Sequence, residues 1–279
     1  MEVTNPKRER LLNSLGFNQL IKAKHGYLLY NIHDSYIGKS IEKYGEYSEA
    51  EVIFFKQLVT SRDIVVEVGS NIGSHTVPLA QMVGKDGRVY AFEPQRIVYQ
   101  TLCANIAINS LANVEAFQIA IGANEGIATI PELSYESLSN FGGVSVNAGP
   151  NGIPVSQLKL DTILKDIPRL KLIKIDAEGM ELDVLKGGTE VISNFRPLLY
   201  IENDRIEKSE ALISFIMSLG YRLFWHIPYL YQKNNYTSDP ENIFGYVASY
   251  NMFCIPQEHQ AAIVGLTEIL DPNKHPAKR

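Results

Sequence analysis

Much that would mark other protein classes is missing from this chain. It carries two cysteines, Cys103 and Cys254, in 279 residues. They lie far apart in apolar surroundings. Disulfide-stapled secreted domains are cysteine-dense, so both are expected as reduced core residues. No C-x-x-C or H-E-x-x-H pattern occurs, which removes the usual zinc signatures. No run of about 18 apolar residues exists, so no helical membrane span is expected. The first ten residues, MEVTNPKRER, are charged and lack the apolar core of a secretory signal, and a cytoplasmic protein is expected. Positive charge is not in excess. The formal net charge is −5, which gives no electrostatic footprint for nucleic acid. There is no internal repeat and no low-complexity run.

What is present is a core-forming composition, 45% hydrophobic and 20% charged, and an alternating pattern. From residue 63 the apolar runs DIVVEV (63–68), GRVYAF (87–92), VEAFQI (114–119), LKLIKID (170–176) and PLLYIE (197–202) read as strands. Helical stretches such as SHTVPLAQMV, RIVYQTLCANIAIN, MELDVL, TEVISNF and SEALISFIMSLG lie between and after them. Near-continuous β-branched runs separated by helices imply parallel strands covered on both faces. Right-handed crossovers then give a doubly wound, Rossmann-like sheet. YRLFWH (221–226) and SYNMFCI (249–255) have no good helix between them and should pair antiparallel at an edge. The expected fold is a mixed seven-stranded sheet, five parallel strands plus a C-terminal antiparallel hairpin. Residues 1–60 form an extension packing on the core, 61–258 the ligand-binding domain and 259–279 a tail. In the extension, YLLYNIHDSYIG suggests a small strand pair and SEAEVIFFKQLV a helix. Ser48 and Glu51 there make the S-x-x-E capping box. This part should close one side of the site.

The first of these strands runs into VVEVGSNIGSHT (65–76). In a doubly wound sheet, ligands bind at the carboxyl ends of strands. Gly69 and Gly73 permit turns and close approach that a Cβ forbids. The unpaired N–H groups where the next helix starts favour a carboxylate. Glu67 at the strand end could accept from a cationic amino group. Gly69, Ser70, Asn71, Gly73 and Ser74 therefore read as a cradle for a zwitterionic amino acid, such as the methionine part of S-adenosylmethionine. Glu93, which ends the second strand 20 residues after Gly73, reads as the clamp on both hydroxyls of a ribose. Pro94 and Gln95 would border the adenosine, and Ala120 the adenine. A nicotinamide cofactor is the rival, but the turn G-S-N-I-G lacks the third glycine of G-x-G-x-x-G.

The stretches VVEVGSNIGSHT, VYAFEPQ with LCANIAIN behind it, LKLDTI, LIKIDAEGMELDVLKGG, RPLLYIE and NMFCIP occur in order over about residues 63–256. With them the chain resembles the FkbM family of S-adenosylmethionine-dependent methyltransferases. IKIDAEGMELDVLKGG is the most specific of the set. The commoner family form has Asp at the position of Glu67 and Ala at that of Ser70. The resemblance implies a class I methyltransferase fold, S-adenosylmethionine as cofactor and O-methylation of a sugar, glycan or natural-product hydroxyl. The acceptor itself is not fixed by fold. A non-catalytic relative that binds a nucleoside or a partner is the alternative.

Methyl transfer needs an acceptor held in line and its proton removed. Asp176, at the end of the fourth strand, is the expected acceptor-positioning group or general base, and Glu178 the second catalytic candidate. The competing roles are a helix cap for Asp176 and a helix-start charge for Glu178. Lys174 could pair with either acid and stays unassigned. Glu202, Asn203 and Asp176 form a weak candidate set for a divalent metal. Asp161 reads as the cap of a short helix. His75 borders the cofactor or faces the core, and His226 is a base or a strand-end residue. Segments 134–156 and 226–247 read as substrate walls, surface excursions or a homodimer contact.

Overall fold

The computed structural model describes residues 16–146 and 152–278. In chain order the elements are β1 (Asn18–Ala23), β2 (Gly26–Asn31), α1 (Ile37–Tyr44), α2 (Glu49–Leu58), β3 (Ile64–Val68), α3 (Thr76–Val83), β4 (Arg88–Phe92), α4 (Arg96–Ile108), β5 (Val114–Phe117), β6 (Ala120–Ile121), β7 (Gly126–Ile130), β8 (Ile153–Leu158), α5 (Leu160–Ile163), β9 (Leu172–Ile175), α6 (Glu181–Lys186), α7 (Thr189–Phe195), β10 (Leu198–Glu202), α8 (Ile206–Ser218), β11 (Tyr221–His226), β12 (Asn251–Pro256) and β13 (Thr267–Glu268).

The main sheet runs β13-β11-β12-β10-β9-β3-β4-β5. β5, β4, β3, β9 and β10 are mutually parallel, and β12 lies antiparallel to both β10 and β11. The chain starts in the middle at β3, winds outward to β5, then returns to β9 on the other side. That reversal opens a crevice at the carboxyl ends of β3 and β9, where such sheets bind ligands.

Period-two alternation sorts the strand residues. Val66, Val68, Ile173, Ile175, Leu199 and Ile201 pack with Leu212, Ile213 and Ile216 of α8. Val65, Leu172, Leu198 and Tyr200 face Phe55 of α2 and Leu79 of α3. Each such side chain contributes about 1.5–3 kcal/mol on burial, so Ile173→Asp in the centre would unfold the sheet. The same alternation puts Glu67, Lys174 and Tyr200 side by side, in register across β3, β9 and β10.

The extension is bound by two asparagines four residues apart, Asn105 in α4 and Asn109 at its C-cap. Asn105 accepts from Leu29 N–H (2.6 Å) and donates to Leu29 C=O (3.0 Å) and Ile72 C=O (2.8 Å). Asn109 grips Tyr27 N–H and C=O in the same way. They substitute for a neighbouring strand along β2 and fasten the β1–β2 hairpin beside the glycine turn.

Four features differ from the sequence reading. The sheet has eight strands, because two residues of β13 pair with β11. A pairing that short leaves no periodic pattern. A second sheet, β6-β8-β7, fills the span between β5 and β9, and β8 begins inside the segment 134–156 that reads as loop. Part of that segment, 147–151, lies outside the described residues, as do residues 1–15 of the extension. Ser48 does not form a capping box. It sits at φ 43 with no capping bond to the backbone, and its hydroxyl donates to Glu51 Oε1 at 2.7 Å. Asp161 lies in α5 but accepts from Glu190 N–H and Val191 N–H, so it caps α7. Cys254 is buried, Cys103 half-buried, and both are free thiols.

Candidate active site

A cavity of about 370 Å³ opens at the carboxyl ends of β3, β4, β9 and β10, within the size range of small-molecule sites. Its inner wall is the turn after β3. Gly69 N–H and Ser70 N–H both donate to Phe92 C=O (2.9 and 3.0 Å), which pins this turn to β4. Gly69 has φ +80, and a Cβ there would overlap the carbonyl oxygen of Asp176. Only glycine lets the ends of β3 and β9 close to this distance. Asn71 follows in the left-handed region at φ 49.

Glu93 faces this turn and is 3% exposed. Its Oε2 accepts from Asn71 N–H (3.0 Å) and its Oε1 from Gln95 N–H (2.8 Å). Burial pushes the carboxyl up to about 7, against the pull of those two bonds. Each oxygen keeps a further lone pair for a ligand hydroxyl.

Of the residues read as cofactor-binding, Gly69, Ser70, Asn71, Ser74, Glu93, Pro94 and Ala120 line the cavity. So do both catalytic candidates, Asp176 and Glu178. Glu67 and Gly73 do not. Strand alternation turns Glu67 to the face covered by α3, where it accepts from Thr76 Oγ1 at 2.5 Å and lies 3.8 Å from Lys174 Nζ. Gly73, at φ +87, makes room for Leu102 of α4. His226 also lies away from the cavity; its Nδ1 bonds the Tyr200 hydroxyl (2.7 Å) and its ring stacks on Phe54.

Lys174 is the central residue left unassigned by sequence reasoning. It is buried, with Nζ 3.2 Å from Asp176 Oδ2 and 3.8 Å from Glu67 Oε1. Desolvation opposes its charge, yet Asp176, Glu67 and Glu51 more than offset it, and the ammonium is held above its usual range. Lys174 thus balances the acids and orients Asp176 toward the cavity. The signal was the apolar run LIKI with one cation inside it, beside a strand with one acid.

Glu178 sits at φ 51 and accepts from Arg205 at 2.7 Å. Burial, followed by the nearby Asp176, raises it to about 8. Glu202 Oε2 is buried without a hydrogen-bond partner, and burial and the same acids hold its carboxyl well above the ordinary range. Asp176, Glu178 and Glu202 each offer an oxygen within 4.8 Å of the others and could hold a cation. Asn203 does not join them, because its side chain donates to Ser209 Oγ and Met252 Sδ. Glu178 takes the place expected for it.

The outer wall comes from distant chain. Tyr36, Ile37 and Tyr47 of the extension, residues 140–146, and Val247 to Tyr250 complete the cavity. Most of the late loop 226–247 instead packs on the extension, through Lys43–Glu241 (2.5 Å) and Tyr236 N–H to Glu46 (2.9 Å).

The Methyltransferase FkbM domain family matches residues 67–223, more than half of the 279. The chain belongs to the FkbM methyltransferase family. Among related proteins, Methyltransferase sdnD of Sordaria araneosa is 26% identical over 161 residues, covering 47% of this chain and 62% of that protein. Hexuronic acid methyltransferase AglP of Haloferax volcanii is 26% identical over 146 residues, covering 47% and 52%. The chain therefore spans only about half to three-fifths of these relatives. The crystal structure of FkbM from Methylobacillus flagellatus KT superposes with a TM-score of 0.46 at 18% identity, covering 79% of this chain and 55% of that one. Within this FkbM protein the matched span supplies the turn, Glu93 and the acids. Tyr36, Ile37, Tyr47 and 247–250 lie outside it.

Proposed function

We propose that the chain is an S-adenosylmethionine-dependent methyltransferase that acts on a hydroxyl of a sugar, glycan or natural product. The observation that carries this reading is Glu93. A buried carboxylate at the end of β4, fixed by two backbone N–H groups, faces a turn with no Cβ at Gly69 in one cavity of an FkbM domain. The residues present suit the donor. Glu93 accepts from ribose hydroxyls, the turn from Gly69 to Asn71 receives the amino-acid portion, and Pro94 and Ala120 border the base. Gln95 Oε1, buried and without a partner, is a further acceptor on that side. When bound, the donor supplies an activated methyl group. The protein's task is then to orient the acceptor and accept its proton. Asp176, neutralised by Lys174, positions the acceptor.

A hydroxyl acceptor is supported by the polar outer wall, which holds Asn140 and Ser249 as well as Tyr36 and Tyr47, and by the hexuronic acid in the name of one relative. Cytoplasmic residence is part of the proposal; no helix among the described residues is long and apolar enough to cross a membrane. Calorimetric titration with S-adenosylmethionine and S-adenosylhomocysteine, followed by mass spectrometry of a panel of uronic acids and glycosides, tests the reading. Binding of both, and one added methyl on an acceptor oxygen, is expected. No binding at millimolar concentration sinks it.

A further inference from the structure

Residues 267–278 return from the sheet edge to the carboxyl ends of the strands. At the edge, Glu268 of β13 accepts from Arg222 Nε and Nη2 (2.9 and 3.2 Å), and Ile269 N–H donates to Leu223 C=O (2.8 Å). The segment then buries His275, which is 4% exposed. Its ring lies against Trp225 of β11 and against Tyr250, just before β12, with centroids 5.0 and 5.2 Å away. Its Nε2 is 2.7 Å from Asn203 C=O, just past β10. Ala277 N–H meets Nδ1 at 3.1 Å. An amide N–H can only donate, so Nδ1 holds the lone pair and Nε2 the proton. His275 therefore donates to Asn203 C=O.

Asn203 is 3% exposed and sits at the root of a short loop between β10 and α8. Its N–H donates to Tyr250 C=O (2.7 Å), and its side chain to Ser209 Oγ and Met252 Sδ. The residues on either side of it, Glu202, Asp204 and Arg205, all line the cavity. Arg205 in turn holds Glu178 at 2.7 Å, and Tyr250 belongs to the same cavity wall. Asn203 is thus the anchor behind the acidic end of the cavity. Its carbonyl is a buried acceptor of the kind that folds almost always pair, and its partner comes from some 70 residues further along the chain.

We propose that His275 is a positioning residue for methyl transfer: by holding Asn203 C=O it fixes the loop 203–205, and through it Glu202 and Glu178 at the acceptor end of the cavity. This rests on the methyltransferase reading and extends the site to a segment that touches no ligand. His275 lies outside the matched family span, as do Tyr36 and Tyr47. The donor end is built separately, from the turn after β3 and from Glu93, and shares no hydrogen bond with His275. Loss of the His275 bond should therefore be felt by the acceptor and not by the donor. A small misplacement of groups that orient a reactant is costly even when its cause lies away from the chemistry.

The test uses the full chain with two substitutions. His275→Phe keeps a ring between Trp225 and Tyr250 and removes both hydrogen bonds. His275→Gln keeps a donor near the position of Nε2. By calorimetry, both should bind S-adenosylhomocysteine within about threefold of the wild type. A loss of about tenfold or more in His275→Phe would mean that the change reaches the donor end, and would overturn the proposal. With methyl glucuronoside and methyl galacturonoside as probe acceptors, His275→Phe should lower kcat/KM about tenfold or more, and His275→Gln should recover most of it. An undiminished kcat/KM in His275→Phe, or an equal loss in His275→Gln, overturns the proposal and leaves the methyltransferase reading intact. Hydrogen exchange gives a readout that needs no acceptor. Amides of 201–206 should exchange about tenfold faster in His275→Phe, while those of 69–76 and 93–97 keep the wild-type rate. Unchanged exchange at 201–206 overturns the proposal even where neither glycoside is a substrate. If the wild type ignores S-adenosylhomocysteine, the methyltransferase reading fails, and the exchange rates still decide whether His275 holds the loop.

Discussion

The two halves of the cavity are built in different ways. The inner half, from Gly69 to Asn71 with Glu93, Pro94 and Ala120, is made of strand ends and the turns that follow them. Its geometry comes from short-range constraints: a positive φ at Gly69, two N–H groups converging on Phe92 C=O, two more on Glu93. The outer half is assembled from Tyr36 and Tyr47, residues 140–146 and 247–250. Its members meet only because α4 asparagines hold the extension and the late loop packs on α1. An inner half fixed by backbone hydrogen bonds suits the donor proposed above, and an outer half of distant pieces suits the proposed acceptor. The family match covers the inner half and, of the outer half, only 140–146, leaving Tyr36, Tyr47 and 247–250 outside.

The contrast can be broken most sharply at Gly69. A Cβ there collides with Asp176 C=O, so Gly69→Ala should cost about 3–5 kcal/mol in denaturant unfolding. A loss below 1 kcal/mol would mean that the ends of β3 and β9 are not pressed together. Lys174→Met leaves Glu67 buried and uncompensated, for a loss of about 3 kcal/mol. Adding Glu67→Gln should recover most of it, which the same unfolding measurement would read. Glu93→Ala should weaken S-adenosylhomocysteine about 10²-fold by calorimetry, from lost hydrogen bonds to a charged acceptor.

The pH dependence follows from Glu93. Its folded carboxyl is raised from 4.5 to about 7, so the folded chain holds a proton that the unfolded chain releases between these values. The unbound protein should therefore lose thermal stability as pH rises from 5 to 8. Glu51, pushed to about 7 by burial, acts in the same sense. Ligand hydroxyls donate to the ionised form, so donor affinity should rise about tenfold from pH 6 to 8. Glu93→Gln should flatten both curves. The smallest effect belongs to the outer half: Tyr36→Ala should raise the acceptor KM a few-fold and leave donor affinity unchanged. A matching loss of donor affinity would erase the distinction between the halves.

What the sequence made legible follows the same line. Five apolar runs became the five parallel strands because burial on both faces leaves a continuous pattern. Gly69 and Glu93 could be found from spacing, since both sit at strand ends. Glu67 was misplaced because being near a strand's end matters less than which face alternation gives it. Val65 and Glu67 share the face under α3. S-x-x-E at Ser48 met the capping signature, yet in the fold the two side chains bond each other. Tyr36 and Tyr47 carried no local signal. They reach the cavity through Asn105 and Asn109, about 60–80 residues further along the chain, and no periodicity reports such a contact.

The most direct test is a crystal structure of the chain with S-adenosylhomocysteine. The account predicts the ribose hydroxyls on Glu93, the amino-acid end at the turn from Gly69 to Asn71, and the sulfur open toward Asp176. A nucleoside bound elsewhere, or one whose ribose makes no contact with Glu93, would contradict it.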